Sequence, residues 1–284
     1  MSADARKKIK IKPFTIVNAV IMVVLCIVFI LPFWMMITAS FSGDMALIKN
    51  GLSLWFQDFS VSAYAELFAT KSLLRSLGVT LVVSLGTAVL SVFVCTGAAY
   101  VLSKKKLAGR KLLTWYFMIP MFFGGGTIPL YLVIRELGIY DHIWALILPN
   151  VVSIYNIVLV RNYFYSLPES LSEAADLDGA NEMQMLLHVF FPLAVPMMLT
   201  IGLITFVGRW NSWLDSLMYL SVQNDGLWMI QYTLRKILEN NPADPSPASV
   251  KNAAIVIVVA PLIIASPILH RFLANGVTAG AVKG

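Results

Sequence analysis

Residues 166–196, SLPESLSEAADLDGANEMQMLLHVFFPLAVP, form the one long polar insert in a chain that otherwise reads as apolar spans. The stretch carries Glu169, Glu173, Asp176, Asp178 and Glu182, five of the fifteen acidic residues. Leu171, Ala174, Ala175 and Asp178 fall at i, i+3, i+4 and i+7, one face of a short helix. Two adjacent alanines would let that helix approach a partner closely, and Glu173 beside them offers a carboxylate to a partner cation. Gly179 stands where the chain is expected to reverse between helical turns, because glycine tolerates positive φ. Pro192 and Pro196 are expected in the first turn of the next helix, where proline is best tolerated. A connecting helix with a solvated acidic face would account for the composition but not for the spacing.

The surroundings of this insert fix its class. Hydrophobic residues make up 58% of the 284-residue chain and charged residues only 13%, where a soluble domain carries roughly a quarter. The chain is therefore read as an all-α polytopic membrane protein, a single transmembrane domain over residues 1–284. Stretches long enough for the ~20 residues that a bilayer demands lie at about 14–39, 77–102, 112–134, 143–163, 193–220 and 253–272. That makes six transmembrane helices. Segments 41–72 and 221–252 connect spans as external loops. The first is aromatic, as at an interface, and the second contains the amphipathic run WMIQYTLRKIL (Trp228 to Leu238).

Orientation follows from the cations. With the N-terminus inside, thirteen Lys and Arg face the cytoplasm and seven face out, leaving Arg209 within a span. The basic N-terminal segment 1–13 (Arg6, Lys7, Lys8, Lys10, Lys12) and the SKKKLAGRK loop at 103–111 weigh most. Both termini and the 166–192 loop are thus expected in the cytoplasm of a multi-pass cell-membrane protein. A nucleic-acid arm would resemble residues 1–13, but a span follows at once, so a membrane anchor is expected and no nucleic-acid partner.

Catalytic chemistry finds no foothold. No Gly-x-x-x-x-Gly-Lys-Ser/Thr phosphate loop is present, so any ATP hydrolysis belongs to another chain. His142, His188 and His270 are scattered at span ends without metal-ligand spacing, and Cys26 and Cys95 lie in apolar runs. Neither a metal nor a nucleophile–base set is expected; the chain reads as a non-enzyme. Two constellations stay open. Gly124, Gly125 and Gly126, flanked by Pro120 and Pro129, either bend a span beside a translocation path or let a neighbouring helix pack closely. Arg209, Asn211 and Asp215, interleaved with Trp210 and Trp213, either face a pore or snorkel to the interface.

The insert resembles the EAA loop of permease subunits of binding-protein-dependent ABC importers: EAA, three residues, Gly, then nine residues to Ile-x-Leu-Pro. Glu173, Ala174, Ala175, Gly179 and Pro192 match in register, with Val189 and Phe191 as conservative departures. Asp178 and Ala180 beside Gly179 are similar to the carbohydrate branch. The LGIYDHIWALILP segment at 137–149 and the GGGTIPLYL segment at 124–132 are similar as well, the latter to importers of oligosaccharides from polysaccharide breakdown. The tail 274–284 is similar to that of the MalG-type subunit of maltose systems.

The resemblance implies a type I ABC importer permease fold and a role in ATP-driven sugar uptake. It implies as partners a second homologous permease in a heterodimer, two cytoplasmic ATPase subunits and an extracytoplasmic sugar-binding protein, besides membrane lipid. ATP and Mg would be bound by the ATPase, and this chain would carry no cofactor. Glu173, Ala174, Ala175, Asp178, Gly179, Ala180 and Pro192 would couple to the ATPase, and Thr278, Ala279, Gly280 and Lys283 of the tail would reach between its subunits. Gly124, Gly125, Gly126, Arg209, Asn211 and Asp215 would border the path. An amino-acid or peptide permease is the nearest rival, opposed by the Asp178-Gly179-Ala180 extension and the tail. A secondary transporter would need more midplane ionisable residues than Arg209 and Asp215 supply.

Overall fold

The computed structural model describes residues 13–105, 107–239 and 246–281, with side chains from 14 to 267 within those ranges. Arg6, Lys7, Lys8, Lys10, Lys12, Lys106 and Lys283 lie outside the described residues, as do the side chains of Thr278, Ala279 and Gly280. In chain order the helices are α1 (Pro13–Ser40), α2 (Asp44–Asn50), α3 (Ser62–Ala69), α4 (Ser72–Ser103), α5 (Arg110–Phe122), α6 (Thr127–Glu136) and α7 (Ile143–Ile147). There follow α8 (Ile154–Ser166), α9 (Ser170–Leu177), α10 (Glu182–Gln184), α11 (Phe191–Trp210), α12 (Leu214–Tyr219), α13 (Ile230–Leu238) and α14 (Ala248–Ala281). The described residues hold no β-strand, only an isolated bridge between Ser42 and Phe59.

Four helical runs are long and apolar enough to cross a membrane: Phe14–Ser40, Ser72–Ser103, Glu182–Trp210 and Ala248–Pro267. The expected third and fourth spans are each broken. Their halves α5 and α6 diverge by 113°, and the Ile143–Asn150 and Ile154–Ser166 segments by 42°, so the crossings number up to six if each bent pair is one span. The fifth expected span is displaced as well. Its helical run starts at Glu182 and stops at Trp210, before the short α12.

The chain divides into two compact units, Met1–Ala69 with Asn240–Val256, and Thr70–Glu239 with Ile257–Gly284. In the first, Phe14 through Trp34 of α1 are exposed along their whole length, the surface that lipid would cover. The stretch after α1 is more than a connector. Phe41 stacks on Phe59 and Tyr64, the Ser40 hydroxyl meets the Tyr64 hydroxyl at 2.8 Å, and the Trp34 indole donates to the Leu54 carbonyl at 2.9 Å. Asp44 accepts the Ser249 backbone N–H at 2.9 Å, pinning the start of α14.

The second unit is built on α4, which packs against α8 and α11. Its buried face reads Ser76, Thr80, Val83, Thr87, Ser91, Cys95, Ala99 and Leu102, a three-to-four-residue period of small residues. Val82, Leu85, Val89 and Phe93 point outward. This inverts a soluble helix, because lipid rewards neither helix association nor large apolar side chains inside, and small residues permit close approach. A Cβ at Gly202 of α11 would lie 3.0 Å from Val92 of α4, which shows how near the two backbones run. Asn156 of α8, 1% exposed, donates to Thr205 of α11 at 2.9 Å and ties the third helix in.

Candidate functional site

The 166–192 insert folds as two helical segments around one tight turn. Helix α9 ends in a Schellman motif. The Ala180 N–H returns to the Ala175 carbonyl at 3.0 Å and the Gly179 N–H to the Asp176 carbonyl at 3.1 Å, with Gly179 at φ 74°. That geometry requires the left-handed region at one position, and glycine occupies it at no steric cost. Asn181 then caps the next helix: its side chain accepts the Gln184 N–H, and the Gln184 side chain accepts the Asn181 N–H, both at 2.9 Å. This reciprocal box starts a helix ten residues before Pro192, a start that the Asn-x-x-Gln spacing signals.

Pro192 and Pro196 therefore sit inside a continuous helical run, not at its beginning. The run accommodates Pro192 by a π-helical segment, Met185–Phe190, just before it. Proline has no N–H to give and its ring crowds the carbonyl four residues back, and the wider π turn relieves both.

The two alanines of the insert part company. Ala175 is 8% exposed and packs in the core with Tyr100, Phe164, Met185 and Phe190, whereas Ala174 is exposed beside Glu173 and Asp178. The face expected to present Ala174 and Ala175 together is thus split, because neighbouring helical positions stand about 100° apart. Leu177, 89% exposed, and Met183, 63% exposed, join the outward surface. Neither was singled out from the sequence. Ala180 is half-buried against the same core as Ala175.

Charge fastens this insert to the end of α4. Glu182 accepts the Tyr100 hydroxyl at 2.5 Å and pairs with Lys104 at 2.9 Å, and Lys104 also lies 4.6 Å from the Tyr100 ring centre. Lys105 pairs with Glu169. Between the end of α4 and α9 lies a groove of about 590 Å³ lined by Tyr100, Lys104, Glu169, Glu173, Asp176 and Glu182. Tyr100 and Lys104 stand one helical turn apart, a spacing visible in the sequence, but only the fold brings Glu182 to them.

At the opposite end of α11, Arg209 pairs with Asp215, and Asn150 donates to the same Asp215 oxygen at 3.1 Å. The side chains of Arg209 and Asp215 are 16% and 15% exposed. Arg209 thus does not stand alone; the break after Trp210 turns Asp215 back toward it. Asn150 closes the tight turn Leu148–Asn150 just before the break at 151–153, which leaves its side chain beside Asp215. Asn211 takes a different course, exposed and bonded to the Val207 carbonyl at 2.9 Å and to Gln231 at 3.3 Å. Helix α13 packs Ile230, Tyr232, Thr233 and Leu234 inward, and its Ile230 N–H donates to Thr80 at 2.7 Å while Thr233 meets Ser76 at 2.7 Å. Arg235 stacks over Trp213 at 4.0 Å.

Nearby, Asp141 at φ 63° clasps the chain after α12. It accepts the Ser221 N–H at 2.8 Å, the Ser221 hydroxyl at 2.9 Å and the Asn224 amide at 3.1 Å. The Ser221 backbone N–H, followed by those side chains, holds the Asp141 carboxyl below the usual carboxylate range.

Gly124, Gly125 and Gly126 are exposed at the 113° break, and a Cβ on Gly124 or Gly125 would meet nothing within 4 Å. Close packing against another helix of this chain is therefore not what glycine provides there. The backbone of 278–280 continues α14 as helix to Ala281. Among the described residues no group of His, Cys, Asp or Glu could hold a metal ion.

Comparison with known proteins gives a consistent answer. The model of the family described as "Binding-protein-dependent transport system inner membrane component" matches residues 95–279. Protein LplC of Bacillus subtilis (strain 168) is 35% identical over 269 residues, 90% of each chain. The polygalacturonan/rhamnogalacturonan transport system permease protein YtcP of the same organism is 34% identical over 268 residues, covering 90% of this chain and 93% of its own. A crystal structure of a bacterial ABC transporter involved in the import of the acidic polysaccharide alginate contains a chain of the same fold. It matches with a TM-score of 0.83 at 29% identity, over 95% of this chain and 99% of that one.

Proposed function

The chain belongs to the inner membrane components of binding-protein-dependent transport systems, and from that premise we propose how it works. It is the permease subunit of a sugar ABC importer, a non-enzymatic multi-pass membrane component that works with a substrate-binding protein and an ATPase. Its cargo is oligosaccharide released from polysaccharide, a reading supported by the names of YtcP and of the alginate importer. Its immediate partners are a second, homologous permease and two copies of the cytoplasmic ATPase, and both its termini face the cytoplasm.

The 166–192 insert is the coupling element. Glu173, Ala174, Leu177, Asp178 and Gly179 form its outward surface, with Glu173 offered to an ATPase cation, while Ala175 and Ala180 anchor it from behind and Pro192 joins it to α11. The one observation that carries this is the Schellman turn at Gly179: it fixes a rigid corner whose outer side is exposed and whose inner side is core. Closure of the ATPase pair would move that corner as a lever and tilt α11, switching the spans between two discrete arrangements biased by nucleotide and binding protein. The end of the chain, with Thr278, Ala279, Gly280 and Lys283, reaches toward the ATPase. The break at Gly124, Gly125 and Gly126, with Arg209, Asn211 and Asp215, borders the path.

The test is Gly179→Asp in the complete complex. Reduced co-purification of the ATPase, or ATP hydrolysis no longer tied to sugar uptake, is the expected result. Wild-type coupling in that variant removes the assignment.

A further inference from the structure

We infer that Arg110, Lys111, Thr114 and Arg161 form a binding site for the phosphate headgroup of an anionic phospholipid. The four residues, with Trp115, line a depression of about 340 Å³ where α5 begins beside α8. The argument starts from an electrostatic fault in α5. Its first two residues are cations, its first turn has no acidic residue, and its N-cap, Gly109 in the left-handed region, supplies no capping side chain. Positive side chains at the positive end of a helix are unfavourable, and an anion placed there relieves them.

The neighbouring helix makes the fault worse. The guanidiniums of Arg110 and Arg161 lie 5.2 and 4.9 Å from the centre of the same Tyr165 ring, so two like charges share one aromatic partner. Arg161 is held there by the Leu102 carbonyl at 3.3 Å and the Tyr165 hydroxyl at 2.9 Å, neither of which carries a negative charge. Among the described residues, no carboxylate pairs with Arg110, Lys111 or Arg161, although Lys104 and Lys105 a few residues away each have one. The Thr114 hydroxyl, one turn into the depression, is buried without a hydrogen-bond partner. Three cations and an idle hydroxyl line a place for one anion.

The surroundings choose the lipid over a free ion. Leu112, Trp115, Tyr116 and Ile119 of α5 are exposed apolar and aromatic side chains that acyl chains would cover, and Trp115 sits beside the cations as interfacial tryptophans do. A basic pocket between membrane helices at the cytoplasmic side is where anionic headgroups bind. The placement rests on the proposed orientation, with the 103–111 loop in the cytoplasm.

The experiment uses the intact complex, delipidated in detergent and titrated with dioleoylphosphatidylglycerol, dioleoylphosphatidylcholine or inorganic phosphate. Retained lipid is read by native mass spectrometry. The wild type is expected to retain phosphatidylglycerol selectively, and an R110Q/K111Q variant to retain it about thirtyfold more weakly. An R235Q control on α13 is expected to match the wild type. Equal retention of the two lipids, equal retention by the variant, or saturation by inorganic phosphate alone overturns the site. So does loss of the ATPase from R110Q/K111Q with lipid retention unchanged, which would put a protein there. Uptake driven by ATP is measured alongside, so that a failed lipid site with intact uptake leaves the importer reading standing.

Discussion

The second unit carries an ion pair at each end of the Glu182–Trp210 helical run, and the two differ in how wet they are. At the end that joins the 166–192 insert, Lys104 and Glu182 meet with side chains 25% and 71% exposed. At the far end, Arg209 and Asp215 meet at 16% and 15%. An exposed pair gains little over hydration, whereas breaking a buried pair strands a charge in a poor solvent. The same chemistry therefore does two jobs. The far pair holds the break after Trp210 in one shape, and the near pair attaches the insert to α4 more loosely, as the proposed lever needs.

The sharpest way to break this contrast is Asp215→Ala. Arg209 would be left buried with only dipoles for company, and a loss of about 3–5 kcal/mol is expected. The measurement is thermal unfolding of the purified complex, followed by size exclusion. An R209M/D215L double variant removes both charges and should recover most of the loss, because no charge is then stranded. If the double variant is no better than the single, the pair is doing something other than neutralising itself.

Backbone replaces charge as the variable at Gly179. Gly179→Val places a β-branched residue at φ 74°, where the expected cost is about 1–2 kcal/mol, and no atom lies within 4 Å of the new Cβ to add a clash. Gly179→Asn, which visits this region more readily, should stay close to the wild type. Limited proteolysis of the 170–185 segment reads the difference. Equal behaviour of Val and Asn would mean that the turn relaxes and the corner is not rigid.

A smaller effect is expected at Asp141, whose charge is solvated by donors instead of a cation. Its carboxyl is held below its unfolded value, so its contribution is complete above the unfolded pKa of about 3.9 and is lost as pH falls through the lower folded value. Acid titration of stability below about pH 4 should show this loss in the wild type. Asp141→Asn should remove that part of the pH dependence while lowering stability at neutral pH. An unchanged acid profile in the variant would relocate the effect.

How far the sequence could see follows the same division. The apolar runs announced the membrane class, and the 173–192 register pointed to the family, because both are local patterns. Gly179 was legible for the same reason: its left-handed conformation is a demand on one residue. Side-chain partners across helices were not legible. Glu182 reads as one more acidic loop residue until α4 brings Tyr100 and Lys104 to it, and Asp215 has no visible partner until the break after Trp210 folds it onto Arg209. The early helix start was readable in principle from Asn181 and Gln184, but the prolines ten residues on gave a louder signal. Leu177 was obscured by the ordinary rule that leucine hides, which a docking surface has reason to violate.

The last way to sharpen the contrast is also the gentlest, Glu182→Gln. Glutamine keeps an acceptor for the Tyr100 hydroxyl and loses the attraction to Lys104, so stability should fall by at most about 1 kcal/mol. At 1 M salt the Debye length shrinks to about 3 Å, and the variant and wild type should then converge. The same salt should leave the Arg209–Asp215 difference almost untouched, since buried pairs are screened much less. Stability of the two variants measured at low and high salt thus gives four numbers with one expected pattern: one difference that closes and one that does not. A Glu182→Gln effect that persists in high salt would mean that the insert is fixed to α4 as firmly as Arg209 is fixed to Asp215. In that case the corner at Gly179 could not swing independently of the span, and coupling would have to run through α4 as well as α11.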